Sequence, residues 1–520
     1  MRALAFIEEG NARRVVDYRN LGSEELGSVY ESLLELHPQV DIDTSSFSLA
    51  TAGGNERKTT GSYYTPSSLI AELLDSALDP VIEDRLREAG PDATAREDAL
   101  LNLKVVDPAA GSGHFLVAAA HRIAKRLAAV RTGEDEPSPE ETRAALRAVI
   151  GRCVYGVDIN PMAVELCKVS LWLEAMEPGK PLSFLDHHIQ CGNSLLGATP
   201  ALLEGGIPDE AFTAITGDDK KYVSEWKKRN REQRKGQLSF DHALARAPWE
   251  RLGNFAAAVQ SIERIEDATI AGVRQKQQVW EETLRSSGYA FSKLWADAWC
   301  AAFVWKKTRE WSHPITEAEF RRIERTPHAL HPDWRGEIER LAGQYQFLHW
   351  HLAFPDAFRV PGPNEDPDSE QTGWIGGFDV VLGNPPWEQI SSSQEKEFFA
   401  HDAGQTSPMS AQRMRARDKM IERLLQLATG DAPLYAAFQD ANCDKQRASQ
   451  PFRPRDRSLS ADWPRRRSNT YRALRRVEPD DPVSDRAASA CIVPTGIATD
   501  AIDAVLLPRP HGHRHTGQSL

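Results

Sequence analysis

The stretch that decides the fold is residues 378–387, which read Phe-Asp-Val-Val-Leu-Gly-Asn-Pro-Pro-Trp. Apolar and small residues around one Asp are typical of a buried strand, and two consecutive prolines cannot continue a hydrogen-bonded ladder. The strand therefore ends at Asn384, and we expect its side chain at the carboxyl edge of a sheet. Open α/β sheets bind their ligands at that edge.

The tetrad from Asn384 to Trp387 suits chemistry on an exocyclic amine, which is a poor nucleophile because its lone pair is delocalised into the ring. The Asn384 side-chain oxygen and the Pro385 carbonyl could each accept one N–H, and Trp387 offers a flat face to a base extruded from its stack. The alternative is a simple strand-ending turn, since Asn and Pro are common turn formers. The tetrad alone leaves both interpretations open.

A second motif, residues 105–117, reads Val-Val-Asp-Pro-Ala-Ala-Gly-Ser-Gly-His-Phe-Leu-Val and predicts a strand, a tight loop and a helix. Gly111 and Gly113 allow the backbone to approach a ligand closely, and the amino terminus of the helix favours the ligand's carboxylate. A dinucleotide-binding motif would have a third glycine where Leu116 stands. A nicotinamide cofactor is therefore the weaker interpretation.

Two further strands end in short polar residues. Residues 154–161 place Asp158 where it can accept hydrogen bonds from a ribose diol, and residues 188–196 place Asn193 where an adenine edge could bind. Each residue can also be an ordinary cap at the end of a strand.

In this order, the motifs resemble the amino-methyltransferases that modify adenine in DNA with S-adenosylmethionine as cofactor, and residues 61–69 resemble that family's first cofactor motif. The resemblance implies a Rossmann-like α/β methyltransferase sheet. Asn193 departs from the family, which often has Asp there. The implied catalytic residues are Asn384, Pro385, Pro386 and Trp387. The implied cofactor-binding residues are Tyr64, Thr65, Pro66, Asp107, Ala109, Gly111, Gly113, Phe115, Asp158, Ile159 and Asn193.

Residues 21–35 and 347–358 resemble segments of type IIG restriction-modification and of DISARM or BREX phage-defence adenine methylases. The resemblance covers about residues 21–444 and implies methylation of adenine N6 in double-stranded DNA, with a separate specificity or defence-system subunit as a possible partner. Fewer residues precede the first cofactor motif than the roughly 100 of a typical domain, so we expect no fused nuclease. A cytosine N4 methylase and a protein-glutamine methylase remain open, because their substrates present a similar amine.

The tail from residue 446 is rich in Arg and Pro, and no apolar periodicity runs through it. Family-like islands lie at 469–471 and 491–499, and the second resembles a late strand of the sheet. We hypothesise a reading frame disturbed after about Asp444, and expect no complete target-recognition domain. A remnant that binds cofactor or a defence-system partner without methylating DNA is the alternative function. The expected regions are an N-terminal helical region (1–60), a cofactor-binding half (61–200), a helical insertion (201–345), a catalytic half (346–444) and an irregular tail (445–520).

The composition favours a soluble cytoplasmic enzyme, with 41% hydrophobic residues and no apolar run near the roughly 20 residues that span a bilayer. Six scattered cysteines lack the paired spacing of zinc ligands. The net charge is −12, but a basic stretch at 220–235 could neutralise phosphates. It could equally be a solvated helix face. We expect most tryptophans of the insertion to be core residues.

Overall fold

The structure is a computed structural model. It describes residues 65–214, 217–238, 255–309, 313–362 and 365–384, together with residues 6–9, 12–15, 27, 29, 36–41, 46–51 and 488–491.

Two antiparallel hairpins lie in the first 60 residues. β1 (Phe6–Glu9) pairs with β2 (Ala12–Val15), and β3 (Leu36–Asp41) pairs with β4 (Ser46–Thr51). Our expectation of a helical region is wrong for these segments. The sequence contains the reasons: Gly10-Asn11 is a pair of residue types common in hairpin turns, and β4 alternates polar and apolar residues with the period of a strand.

Five parallel strands form the central sheet, which confirms the α/β expectation. They are β5 (Val105–Asp107), β6 (Val154–Asp158), β7 (Ile189–Cys191), β8 (Val380–Gly383) and β9 (Ala488–Cys491), in the order β7-β6-β5-β8-β9. The chain runs outward from β5 to β7 and then returns to the other side of β5 as β8. The order of strands therefore reverses between β5 and β8, and a ligand crevice opens at such a point.

The register aligns the carboxyl ends of the strands. Val106 pairs with Tyr155 on one side and with Val381 on the other. Val105 packs into the core beneath one face of the sheet, whereas Val106 packs into the core beneath the other. This alternation is that of a strand covered on both faces, as parallel sheets require.

Helices from the first half of the chain cover one face of the sheet. A π-helical turn (Leu74–Leu78) joins α1 (Ser67–Leu73) to α2 (Asp79–Ala89). Local caps define several ends. Ser138 and Glu141 form a capping box at the start of α5 (Pro139–Ile150). At the start of α6 (Pro161–Glu174), the Asn160 side chain accepts a hydrogen bond from the Met162 N–H. These helices are α1 (Ser67–Leu73), α2 (Asp79–Ala89), α3 (Ala93–Leu101), α4 (His114–Thr132), α5 (Pro139–Ile150) and α6 (Pro161–Glu174).

Between β7 and β8 the described chain is mainly helical. Its own core forms around α11 (Ser287–Val304), where Trp295, Trp299 and Trp305 are buried. Together with buried Trp280 they confirm the expectation that most of these tryptophans are core residues; Trp311 lies outside the described residues. The elements are α7 (Pro200–Gly205), a 3-10 turn (Asp209–Phe212), α8 (Lys220–Leu238), α9 (Ala256–Glu263), α10 (Ile270–Arg285), α11 (Ser287–Val304), α12 (Glu317–Arg325), a second 3-10 turn (Pro327–Ala329), α13 (Pro332–Tyr345) and α14 (Trp350–Ala353).

No helix in the described part of the chain has both the length and the apolar character needed to cross a membrane.

Candidate active site at the carboxyl edge of the sheet

The glycine loop between β5 and α4 has a backbone that only glycine adopts readily. Gly111 and Gly113 have φ angles of 54° and 86°. Gly113 is the N-cap of α4, and a Cβ added to it would lie 2.8 Å from the Cys167 Sγ atom on α6. The loop is therefore held close to α6. The first N–H groups of α4 have no intrahelical acceptor, which makes this end of the helix suited to an anion.

Asp158 at the end of β6 is bonded to this loop. Its carboxylate accepts hydrogen bonds from the N–H groups of Gly111 and Asn160, each at 2.8 Å. Burial raises the pKa of Asp158, and these backbone hydrogen bonds oppose the rise. The next residue, Ile159, is 54% exposed, so an apolar side chain lies at the surface directly beside the half-buried acid.

Asp107 at the end of β5 has an unusual environment. It is 1% exposed, and its Oδ1 atom accepts a hydrogen bond from the Ala109 N–H at 2.9 Å. Its Oδ2 atom has no hydrogen-bond partner in the described part of the chain. Burial raises the pKa of Asp107 to about 7, and the nearby charge of Asp158 adds to the rise. A buried carboxylate oxygen without a partner is costly, so this atom is suited to a donor or a cation from a ligand.

Asn384 follows β8 at the same edge. Its Nδ2 atom donates a hydrogen bond to the Thr65 Oγ1 atom at 3.1 Å, whereas its Oδ1 atom is buried without a partner among the described residues. A Cβ added to Gly383 would lie 2.9 Å from the Asp107 Oδ1 atom. The start of the tetrad therefore lies against the end of β5. Pro385, Pro386, Trp387 and Tyr64 lie outside the described residues.

The remaining residues implied by the resemblance are placed differently. Pro66 is the exposed N-cap of α1, and Ala109 contributes its N–H to Asp107. Phe115 is buried in the core beneath the sheet, so its side chain serves packing.

Asn193, two residues beyond β7, stabilises a turn. Its Oδ1 atom accepts a hydrogen bond from the Leu195 N–H at 3.1 Å, and its own N–H donates to the Gln346 carbonyl at 2.7 Å. This is the capping role that the sequence left open. Its assignment to an adenine edge stays a prediction.

A second polar group, which we call the amino-edge cluster, lies at the opposite edge of the sheet and was missed from the sequence. It comprises Lys104, Tyr155, His188, Glu263 and Asp356. The Asp356 carboxylate accepts hydrogen bonds from the Lys104 ammonium and the Tyr155 hydroxyl, both at 2.6 Å. The only signal in the sequence was a charged residue directly before a buried strand.

The amino-edge cluster also contains the described residues best arranged to hold a metal. Ligand atoms of His188, Glu263 and Asp356 lie within 4.8 Å of one another, and neither ring nitrogen of buried His188 has a hydrogen-bond partner in this part of the chain. The Lys104 ammonium, however, already supplies a positive charge to Asp356. We therefore assign no metal to the cluster.

The basic stretch at 220–235 forms most of α8. Buried Asn230 anchors this helix, because its side chain donates to the Ile207 carbonyl at 2.9 Å and accepts from the Glu317 N–H at 2.8 Å. Arg231 pairs with Asp209 at 2.5 Å. Exposed cations on the helix are Lys220, Lys221, Lys228, Arg229, Arg231 and Lys235.

Two protein-family models match the chain. The model for Eco57I restriction-modification methylase matches residues 152–444, which is more than half of the chain, and the model for N-6 DNA methylase matches residues 43–239.

Two curated relatives are similar to the chain. One, from Methanocaldococcus jannaschii, is named "Putative type II restriction enzyme and methyltransferase"; it is 24% identical over 73% of this chain and 31% of its own length. The other, adenine-specific methyltransferase PglX of Streptomyces coelicolor, is 32% identical over 32% of this chain and 13% of its own length. The matched region thus spans less than a third of either relative. No solved structure matches the chain.

Proposed function

Because the chain belongs to the Eco57I restriction-modification methylase family, we propose that it transfers a methyl group from S-adenosylmethionine to the N6 amine of adenine in double-stranded DNA. The observation that carries the proposal is the buried Asn384 Oδ1 atom, which lacks a partner in the described chain at the point where the strand order reverses. An amide oxygen in that position needs a donor, and an exocyclic amine is one.

The residues at the carboxyl edge fit the cofactor. The positively charged amino group of S-adenosylmethionine suits the Oδ2 atom of Asp107, and its carboxylate suits the amino terminus of α4. Asp158 retains lone pairs for the ribose hydroxyls, and exposed Ile159 offers an apolar contact to the adenine ring. When bound, this cofactor supplies a methyl group on a sulfonium centre, which is a strong electrophile.

The chain's own residues act on the target amine. Asn384 accepts one of its N–H groups, and the Pro385 carbonyl accepts the second, which localises the nitrogen lone pair for attack. Trp387 provides the surface on which the extruded base stacks. No residue forms a covalent intermediate, so catalysis rests on positioning the two reactants.

Three observations support adenine in DNA as the substrate. The family model for N-6 DNA methylase matches the cofactor-binding half, and the relative PglX is named as adenine-specific. The exposed cations of α8 could neutralise phosphates and give sequence-independent affinity. We propose that this methylation serves restriction-modification, as the family name indicates, or phage defence.

The test is transfer of a labelled methyl group from S-adenosylmethionine to unmethylated bacterial DNA, followed by mass spectrometry of the nucleosides. We expect label in N6-methyladenine, and at least about a hundredfold slower transfer in Asn384→Ala, because a hydrogen bond made in the reacting complex is lost. Asn102→Ala, which changes an exposed Asn at the end of α3, serves as the matched control and should keep the wild-type rate.

The outcomes separate the candidate activities. Label in N4-methylcytosine would show that the methylated base is cytosine and would contradict the assignment to adenine. Absence of label in DNA from a protein that binds cofactor normally would contradict the proposal and favour the binding-only alternative.

A further inference from the structure

Thr65 and Asn384 form a hydrogen bond although they lie far apart in the sequence. The Thr65 hydroxyl oxygen accepts from the Asn384 Nδ2 atom at 3.1 Å, across 319 positions of sequence. Thr65 is 5% exposed and lies two residues before α1. The contact is partly buried, and a hydrogen bond that is shielded from water contributes more than one at the surface.

The side-chain amide of Asn384 has a donor, the Nδ2 atom, and an acceptor, the Oδ1 atom, and each needs a different partner. The amine of the substrate is a donor, so the Oδ1 atom must face it. The Nδ2 atom must then find an acceptor elsewhere, because a buried amide N–H without a partner is destabilising. Thr65 is the acceptor that the described structure provides.

We propose that Thr65 is a positioning residue for Asn384: its hydroxyl holds the amide so that the Oδ1 atom faces the amine. This inference rests on the proposed function. It also differs from the role that the family resemblance implied, in which Thr65 binds the cofactor.

The two roles make different kinetic predictions for Thr65→Val, which replaces the hydroxyl with a methyl group of similar size. A positioning role lowers kcat about 10- to 100-fold at saturating S-adenosylmethionine, in line with the cost of an unsatisfied amide. The KM for the cofactor stays within about twofold of wild type. Thr65→Ser keeps the hydroxyl and should restore most of kcat.

A double-mutant cycle isolates the contact. In the Asn384→Ala background, Thr65→Val should have no further effect on kcat, because the group that it positions is already absent. A raised KM for the cofactor with kcat unchanged would overturn the inference. So would an effect of Thr65→Val that multiplies fully with that of Asn384→Ala.

A readout without turnover separates this inference from the proposed function. Crystal structures of wild type and Thr65→Val should show the Asn384 amide plane rotated in the variant, with thermal unfolding as the check that both are folded. An unchanged plane in the variant overturns the positioning role, whether or not DNA is methylated. A wild-type protein that retains the bond but leaves DNA unlabelled would instead contradict the proposed function.

Discussion

The two edges of the central sheet differ in whether their buried side-chain oxygens have partners within the protein. At the amino edge, the Asp356 carboxylate is paired with the Lys104 ammonium and accepts a hydrogen bond from the Tyr155 hydroxyl. Asp379 accepts a hydrogen bond from the Lys104 backbone N–H at 2.8 Å and forms an ion pair with Arg85. At the carboxyl edge, the Oδ2 atom of Asp107 and the Oδ1 atom of Asn384 have no partner among the described residues. The carboxylates at the amino edge are paired within the protein, whereas the side-chain oxygens without partners at the carboxyl edge are those to which we assign ligands in the proposed function.

The largest effect on stability is expected from breaking the pair at the amino edge. Lys104→Met leaves the carboxylate of Asp356 buried without its cation and should reduce the free energy of unfolding by about 3 to 5 kcal/mol. Urea denaturation measures this change. The KM for S-adenosylmethionine of the remaining folded protein should stay at the wild-type value. A raised KM would contradict the inference that the amino edge does not take part in cofactor binding.

At the carboxyl edge, Asp107→Asn should have the opposite signature. Loss of the negative charge removes the partner of the cofactor's amino group, so we expect cofactor affinity to fall about 10- to 100-fold, in the range of a hydrogen bond to a charged group. Calorimetry measures the affinity. Without cofactor, the free energy of unfolding of the variant should be at least that of wild type, because a neutral amide replaces a buried carboxylate oxygen that has no partner among the described residues.

Because its pKa is raised, Asp107 should make the stability of the protein depend on pH. Between about pH 4 and pH 7 the folded state retains a proton on Asp107 that the unfolded state has released, so the contribution of this group to stability falls as the pH rises. We expect unfolding experiments on wild type to show this fall and those on Asp107→Asn to lack it. Equal slopes in the two proteins would exclude Asp107 as its source.

A smaller effect is expected from the glycine loop. Gly113→Ala introduces a Cβ at a φ of 86° and 2.8 Å from Cys167, and should destabilise the protein by about 1 to 3 kcal/mol while weakening cofactor binding. Gly336→Ala within α13 is the matched control, because no atom lies within 4 Å of the added Cβ. That control should stabilise the protein by about 0.5 to 1 kcal/mol. Equal unfolding midpoints for both variants would contradict the argument.

The sequence predicted the sheet well because its strands have local signals. β5, β6 and β8 are short apolar runs that end in Asp107, Asp158 and the residue before Asn384, and the structure brings these ends to one edge. The hairpins near the amino terminus were missed because a single Gly-Asn connection and a short alternation were outweighed by the expectation of helices.

The partners of the site residues could not be predicted, because they depend on tertiary packing. Nothing local in the sequence indicates that Asn384 donates to Thr65, or that one oxygen of Asp107 is left without a partner. Nor does a motif show that Phe115 packs into the core or that the Asn193 oxygen caps its own turn. The roles of Tyr64 and of the last three residues of the tetrad stay predictions.

The strand order also has a consequence for the synthesis of the protein. β8 pairs with the central strand β5, yet it follows β7 only after the whole helical insertion has been translated. At ribosomal speeds of about 5 to 20 residues per second, the insertion delays β8 by roughly 10 to 40 seconds. During that interval the nascent chain presents one side of β5 unpaired, and such an edge is a site for wrong pairing. Protection of this edge by a chaperone during that interval would therefore favour a good yield of folded protein.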